Sequence, residues 1–199
     1  MPALSPSSEH IADSCVFRAA LRREKLAARM ALDEKSHAAL SARIEAHLAA
    51  LLIPLPPQTL AFCAAVRGEF DVRPLASLLI NSGWRAAMPV VETANAPMSF
   101  RSWTPSSAME IDRHGIPIPA EGPQMLPNIV LLPLVAFDRQ GFRLGYGGGY
   151  FDRTLAALVP RPLAIGVGFE LARVADIRPQ AHDLPLDAVV TEAGIVRHA

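Results

Sequence analysis

Residues 141–153 read Gly-Phe-Arg-Leu-Gly-Tyr-Gly-Gly-Gly-Tyr-Phe-Asp-Arg, and five of the chain's twelve glycines fall between Gly141 and Gly149. An apolar run, Asn128 to Phe137, precedes them and reads as a buried strand, and Phe151, Leu155, Leu158 and Val159 follow with helical spacing. Strand, glycine loop and helix in that order form an anion cradle. Glycines let backbone N–H groups converge on a phosphate, and the helix N-terminus adds the positive end of its dipole. Arg143 and Arg153 can add charge-assisted contacts, and Asp152 can hold a metal or a ribose. A turn that merely needs positive φ would require fewer glycines and no flanking arginines. The stretch is not a Walker loop, since no Gly-Lys-Ser/Thr follows, and its spacing differs from a dinucleotide fingerprint.

The chain's 199 residues suit one domain with one sizeable core. Nineteen Lys and Arg balance nineteen Asp and Glu, so no charge excess points to nucleic acid or to an acidic tail. No apolar run reaches the length of a membrane span. Small-molecule partners and a cytoplasmic location are therefore expected, with a monomer and a homodimer both compatible. Residues 1–10 lack a basic n-region and an apolar core, so they read as a flexible tail rather than a secretory signal, with the folded domain over 11–199. Cys15 and Cys63 lack metal spacing and are expected to be free thiols.

A first helix is predicted from Ile11 to Ala31, with Arg18, Arg22, Lys25 and Arg29 as a basic face. Asp33 is a good N-cap for a second helix ending near Leu52, with Leu40, Ile44 and Leu48 inward and His37 and His47 on the surface. Thr59 to Val66 reads as a strand and Val72 to Asn81 as a helix closed by Gly83, which places Glu69 beyond a strand's C-terminal end, where open α/β sheets bind ligands. Further strands are expected at 85–91, 98–103 and 162–169, with Phe100 and Trp103 as core. Strands and helices alternate and the strands are continuously apolar. The expected fold is therefore a single-domain, three-layer α/β structure, its mostly parallel sheet covered by helices on both faces.

The segment Ala136 to Arg153 resembles the signature of the 5-formyltetrahydrofolate cyclo-ligases, and Ala181 to Glu192 resembles that family's His-Asp-x-Pro-x-Asp-x-Val-Val-Thr-Glu run. The resemblance, spanning about Arg18 to Glu192, implies a ligase of one-carbon metabolism that closes 5-formyltetrahydrofolate to 5,10-methenyltetrahydrofolate with ATP as co-substrate and Mg2+ as cofactor. It implies nucleotide contacts from Arg18, Arg22, Arg143, Leu144, Gly145, Tyr146, Gly147, Gly148, Gly149, Tyr150 and Phe151. It implies folate contacts from Ala64, Glu69, Tyr146, Gly147, Gly148, Gly149 and Tyr150. Arg143 and Tyr150 are the expected catalytic residues, and Asp152 and Asp187 the expected magnesium ligands. A carboxylate at Glu69 could accept the paired N–H donors of a pterin's amino-pyrimidine edge. Asp183 and His182 read instead as a surface hydrogen-bonded pair. Three positions depart from the family pattern: Arg18 for lysine, Ile118 for an acidic residue expected at the surface, and Ala172 for glutamine. A non-catalytic folate- or nucleotide-binding paralogue, and a phosphate-ligand enzyme such as a sugar-phosphate isomerase or CoA transferase, are the alternative readings.

Overall fold

The computed structural model describes residues 8–198, so most of the expected tail lies outside the described residues. Helix α1 (Ser8–Met30) begins three residues before its predicted start. Helix α2 (Glu34–Leu52) starts where predicted, with the Asp33 carboxylate accepting from Ser36 N at 2.9 Å. Then follow β1 (Thr59–Ala61), α3 (Arg73–Asn81), β2 (Arg85–Val90), β3 (Ser99–Trp103), β4 (Met109–Ile111), β5 (Pro117–Pro119), β6 (Ile129–Pro133), β7 (Ala136–Phe137), β8 (Arg143–Leu144), α4 (Tyr150–Ala157), β9 (Leu163–Val167), β10 (Ala188–Thr191) and β11 (Gly194–Arg197). A single 3-10 turn, Glu170–Ala172, follows β9.

Seven strands form one sheet in the order β11-β10-β9-β6-β1-β2-β3. The five central strands are parallel, and β3 and β11 close the two edges antiparallel. Successive residues of the central strands feed opposite cores, as the two-residue period requires. Ile129 and Leu131 join one side with Ile44, Leu48 and Leu52 of α2 and Leu75 and Leu79 of α3. Val130 and Leu132 join the other side with Leu155 of α4. Both faces are buried, which is why these strands are apolar without alternation.

Several predicted elements differ in extent. The strand expected over 59–66 is regular only to Ala61, and the chain then turns away to form a wall of the cleft described below. The strand expected over 128–137 is two, because the chain leaves the main sheet after Pro133 and β7 pairs with β8 in a separate hairpin, with one parallel bridge from Phe137 to Arg173. The buried Asp138 shapes that hairpin by accepting from Gln140 N at 2.9 Å and Phe142 N at 3.1 Å. His37 and His47 are half-buried rather than on the surface: His37 sets its ring edge on Phe169, and His47 Nδ1 lies 2.9 Å from Thr191 O. Phe100 and Trp103 are core, as expected.

Leu48 is fully buried between α2 and the sheet. Leu48→Ala is expected to lower unfolding free energy by about 2–5 kcal/mol, measured by urea denaturation with unchanged far-UV circular dichroism. A loss below about 1 kcal/mol would mean that α2 does not seal this core.

Candidate functional site

Beyond the C-terminal ends of the parallel strands lies a cleft of about 880 Å3. Cys63, Val66 and Arg67 enter it after β1, Pro89 and Val91 from β2, and Pro133 from β6. Arg18 and Arg22 reach it from α1, and the glycine loop with the start of α4 forms another wall. The β4–β5 hairpin adds Asp112, His114, Ile116 and Ile118. That volume lies in the upper part of the range for small-molecule sites.

The glycine run divides in two. Gly141, at φ 85°, belongs to the β7–β8 turn, where a Cβ would sit 2.9 Å from the His198 ring. Gly145 and Gly147 to Gly149 form the loop proper, with Gly149 as N-cap of α4 at φ 64° and no side-chain cap. Guanidinium groups hold two loop carbonyls, Arg22 Nε donating to Gly145 O at 2.8 Å and Arg153 Nη2 to Gly148 O at 2.6 Å. Among the described residues, the N–H groups of Gly147, Gly148 and Gly149 find no protein acceptor. Glycine-rich N–H groups at a helix start suit a phosphate.

Three buried arginines are paired with carboxylates along this cleft. Arg18 and Asp183 meet through two hydrogen bonds of 2.5 and 3.1 Å, and both are buried. Asp183 is thus the anchor of α1 rather than half of a surface pair; His182, 3.9 Å away, is the exposed member. Burial alone would raise the Asp183 carboxyl, but the bonds from Arg18 and Gln180 N outweigh it and hold the group below its ordinary range. Arg143 Nη1 donates to Asp152 Oδ1 at 3.0 Å, and Leu184 N donates to the same oxygen at 3.1 Å.

The third arginine is Arg29, which the sequence showed only as part of a basic face. It is 5% exposed, donates to Leu134 O at 2.9 Å and Arg67 O at 3.0 Å, and reaches Tyr146 OH at 2.7 Å and Glu69 Oε1 at 3.4 Å. The signal was available: Arg18, Arg22 and Arg29 stand at i, i+4 and i+11, one side of a helix. Glu69 in turn accepts from Tyr146 OH at 2.6 Å and from Val66 N at 3.1 Å. Burial pushes its pKa up, against the opposing pull of Tyr146, Val66 N, Arg29 and Arg67. The turn that aims Glu69 uses two consecutive positive φ values, Arg67 at 51° and Gly68 at 72°.

Other predicted positions fall outside the cleft lining. Ala64 and Leu144 are buried in core clusters, so the cleft contact near Ala64 comes from Cys63 and Val66. Asp187 opens β10, where its carboxylate accepts from Arg161 Nη1 at 3.0 Å and Ala164 N at 2.7 Å. Ala164 lies near the N-terminal end of β9, so these bonds hold Asp187 at the start of β10; Asp152 lines the cleft and Asp187 does not. Among the described residues no cluster of three or more His, Cys, Asp or Glu could hold a metal unaided. Ile118, expected at the surface, is 7% exposed and lines the cleft. Tyr150 and Phe151 line it too, with the Tyr150 and His114 ring centroids 5.5 Å apart and the Arg153 guanidinium 5.0 Å from the Tyr150 ring centroid.

The sequence profile of the 5-formyltetrahydrofolate cyclo-ligase family matches residues 15–192. The chain belongs to the 5-formyltetrahydrofolate cyclo-ligase family. A cyclo-ligase of Escherichia coli K12 is 32% identical over 155 residues, covering 72% of this chain and 85% of that protein. Two solved structures of 5,10-methenyltetrahydrofolate synthetases share the fold. The Aquifex aeolicus protein has a TM-score of 0.78 at 28% identity, covering 91% of this chain and 92% of that one. The Mycoplasma pneumoniae protein has a TM-score of 0.74 at 26% identity, covering 88% and 98%. Within this cyclo-ligase fold the glycine loop lines the cleft with Arg18, Arg22 and Arg143, and the buried Arg29 and Glu69 join that wall through hydrogen bonds with Tyr146.

The Arg18–Asp183 pair carries a pH signature. A carboxyl whose folded pKa is depressed contributes stability above its unfolded value of 3.8, and that stability disappears as pH falls through the lower folded value. Thermal melts of the wild type and Asp183→Asn are therefore expected to differ most at neutral pH and to converge in acid. The neutral-pH loss should be about 3–5 kcal/mol, because the buried Arg18 charge is left unpaired. A constant gap down to about pH 2 would rule this linkage out.

Proposed function

We propose that this cyclo-ligase closes 5-formyltetrahydrofolate to 5,10-methenyltetrahydrofolate with ATP and magnesium. The observation that carries this reading is the cleft itself, lined by a phosphate-type glycine loop whose Tyr146 hydroxyl donates to the buried Glu69 carboxylate. Two ligands suit these groups: nucleotide phosphates at Gly145 to Gly149, a pterin edge at Glu69. The family match removes the sugar-phosphate isomerase and CoA-transferase readings.

The chemistry needs two substrates held in line and little else. A formamide oxygen is a poor leaving group. Its attack on the γ-phosphorus forms a C–O–P linkage and releases ADP. The N10 lone pair of the same folate then adds to the activated formyl carbon, N10 gives up its proton, and the C–O bond breaks to release phosphate. Ring closure is intramolecular, so the protein supplies orientation and charge neutralisation rather than a nucleophile.

The free loop N–H groups and Arg22 face the phosphates in this reading. Arg22 already grips Gly145 O, so it sets the loop's shape as well as its charge. Burial lowers the Arg22 pKa, yet the group remains a cation at neutral pH. Arg143 is neutralised by Asp152, so its first role is to fix that carboxylate at the head of α4. Both hydrogen bonds to Asp152 fall on Oδ1, which leaves Oδ2 to face a cation. One carboxylate with phosphate oxygens and waters is a normal magnesium shell. Bound there, Mg2+ would neutralise charge on the transferring phosphoryl group. Tyr150 and His114 pack against each other between the loop and the hairpin. The aliphatic Ile118 makes that wall apolar, which suits a flat heterocycle. With no helix among the described residues long and apolar enough to cross a membrane, a cytoplasmic location fits the substrates.

Incubation with 5-formyltetrahydrofolate, ATP and Mg2+ is expected to generate the methenyl chromophore, and omission of ATP or chelation of the metal to abolish it. No product under the complete mixture would overturn the reading. Asp152→Ala should lower kcat by roughly 10²–10³ with the fold unchanged by circular dichroism. Wild-type turnover in that variant would remove Asp152 from the site.

A further inference from the structure

We propose that Arg29 is a positioning residue that couples the folate-facing carboxylate Glu69 to the glycine loop. The inference rests on the reading of Glu69 as a substrate-binding group. Arg29 makes no hydrogen bond to a loop glycine, and Glu69 Oε2 accepts from Val66 N rather than from Arg29. Its guanidinium instead holds the groups that define both walls: Arg67 O before the Glu69 turn, Leu134 O after β6, and Tyr146 OH from the loop. Tyr146 OH in turn donates a hydrogen bond to Glu69 Oε1 at 2.6 Å, so one guanidinium, one phenol and one carboxylate form a closed triangle.

A helical surface arginine would be tolerant of its neighbours, but this one is 5% exposed. A buried guanidinium without acceptors would be severely unfavourable, and here four acceptors from three segments surround it. The geometry therefore fixes where each acceptor must lie. Moving the loop moves Tyr146, and moving Tyr146 breaks its bonds to both Arg29 and Glu69.

The triangle also governs the charge of Glu69. Arg29 faces it from α1, Tyr146 from the loop, and Arg67 and Cys63 from the segment after β1. Burial raises the carboxyl, and the two arginines oppose that rise. Arg67 also lies 5.2 Å above the Tyr146 ring, so its position follows the same phenol. An ionised Glu69 can accept the paired donors of a pterin; a protonated one cannot. Loss of the Arg29 charge raises the Glu69 pKa further, so the acid limb of kcat/KM for the folate moves to higher pH. A purely structural arginine would leave that limb in place.

The test compares wild type, Arg29→Lys, Arg29→Met and Glu69→Gln, with kcat/KM for 5-formyltetrahydrofolate followed from about pH 5 to 9 and thermal melts as the control for folding. Arg29→Met is expected to lower kcat/KM for the folate roughly tenfold at neutral pH and to move the acid limb up by about one unit. Arg29→Lys, which keeps the charge but not the fork, should show a smaller shift in the same direction. Glu69→Gln should remove the limb altogether. An unmoved limb in folded Arg29→Met overturns the proposal. Should that variant not fold, wild-type kcat/KM and an unmoved limb in Arg29→Lys overturn it instead. Wild-type kinetics in Glu69→Gln overturn the assignment of Glu69 itself, whereas an impaired Glu69→Gln beside unaffected Arg29 variants overturns only the coupling.

Discussion

A buried guanidinium has five N–H donors that must be met, and meeting them ties distant chain segments together. Helix α1 carries Arg18 and Arg29 into such positions and holds Arg22 half-buried between them. Asp183 lies 165 residues from Arg18 in sequence, and Tyr146 lies 117 from Arg29. The first helix is thereby fastened to the last loop and to the glycine loop by charge-assisted hydrogen bonds rather than by an apolar stripe alone. Its apolar contribution is small, Leu21 with Ala136, Leu144 and Ile177. The walls of the cleft depend on these bonds, because α1 packs on β7 and the 3-10 turn at the strands' C-terminal ends.

This construction separates support from display. The sheet faces are filled by aliphatic side chains of α2, α3 and α4, and they fix the strands rigidly. The cleft walls are made largely of segments that leave the main strands: the turn at Arg67 and Gly68, the β4–β5 hairpin, and the loop at Gly145 to Gly149. Such segments carry the unusual backbone angles, and the arginines hold them in place. Of the arginines that line the cleft, Arg18 and Arg143 are paired with carboxylates, whereas Arg22 and Arg67 make no carboxylate ion pair among the described residues.

Much of the fold was legible in the sequence. The apolar runs at 128–137 and 162–169 signalled strands buried on both faces, and Asp33 and Gly83 marked helix ends through local backbone preference. The lengths of β1 and β6 were not legible, because an apolar run does not announce where a strand stops pairing. Nor was the hairpin inside the glycine run, which Asp138 creates by accepting two backbone donors. Of the candidate site, the glycine loop, Arg22, Glu69 and Asp152 were named from residue type, order and family resemblance. The bonds that hold Asp187 to Arg161 and Ala164 N were not legible, because a strand-start aspartate looks the same whatever it is bonded to. Ile118 and His37 were given to solvent, since burial by a remote hairpin or by Phe169 leaves no local trace.

By itself the sequence determined what is local or periodic: the helices and their caps, the two-sided strands, and a glycine loop at the head of a helix. Its long signature also determined the family, since a run of residues with specific chemistry survives without reference to space. Tertiary structure alone decided which charges meet. Arg18 with Asp183, Arg143 with Asp152, and Arg29 with Glu69 and Tyr146 are contacts made across the fold. Their partners are selected by burial, since an isolated charge there is too unfavourable to persist. No spacing along the chain encodes that selection.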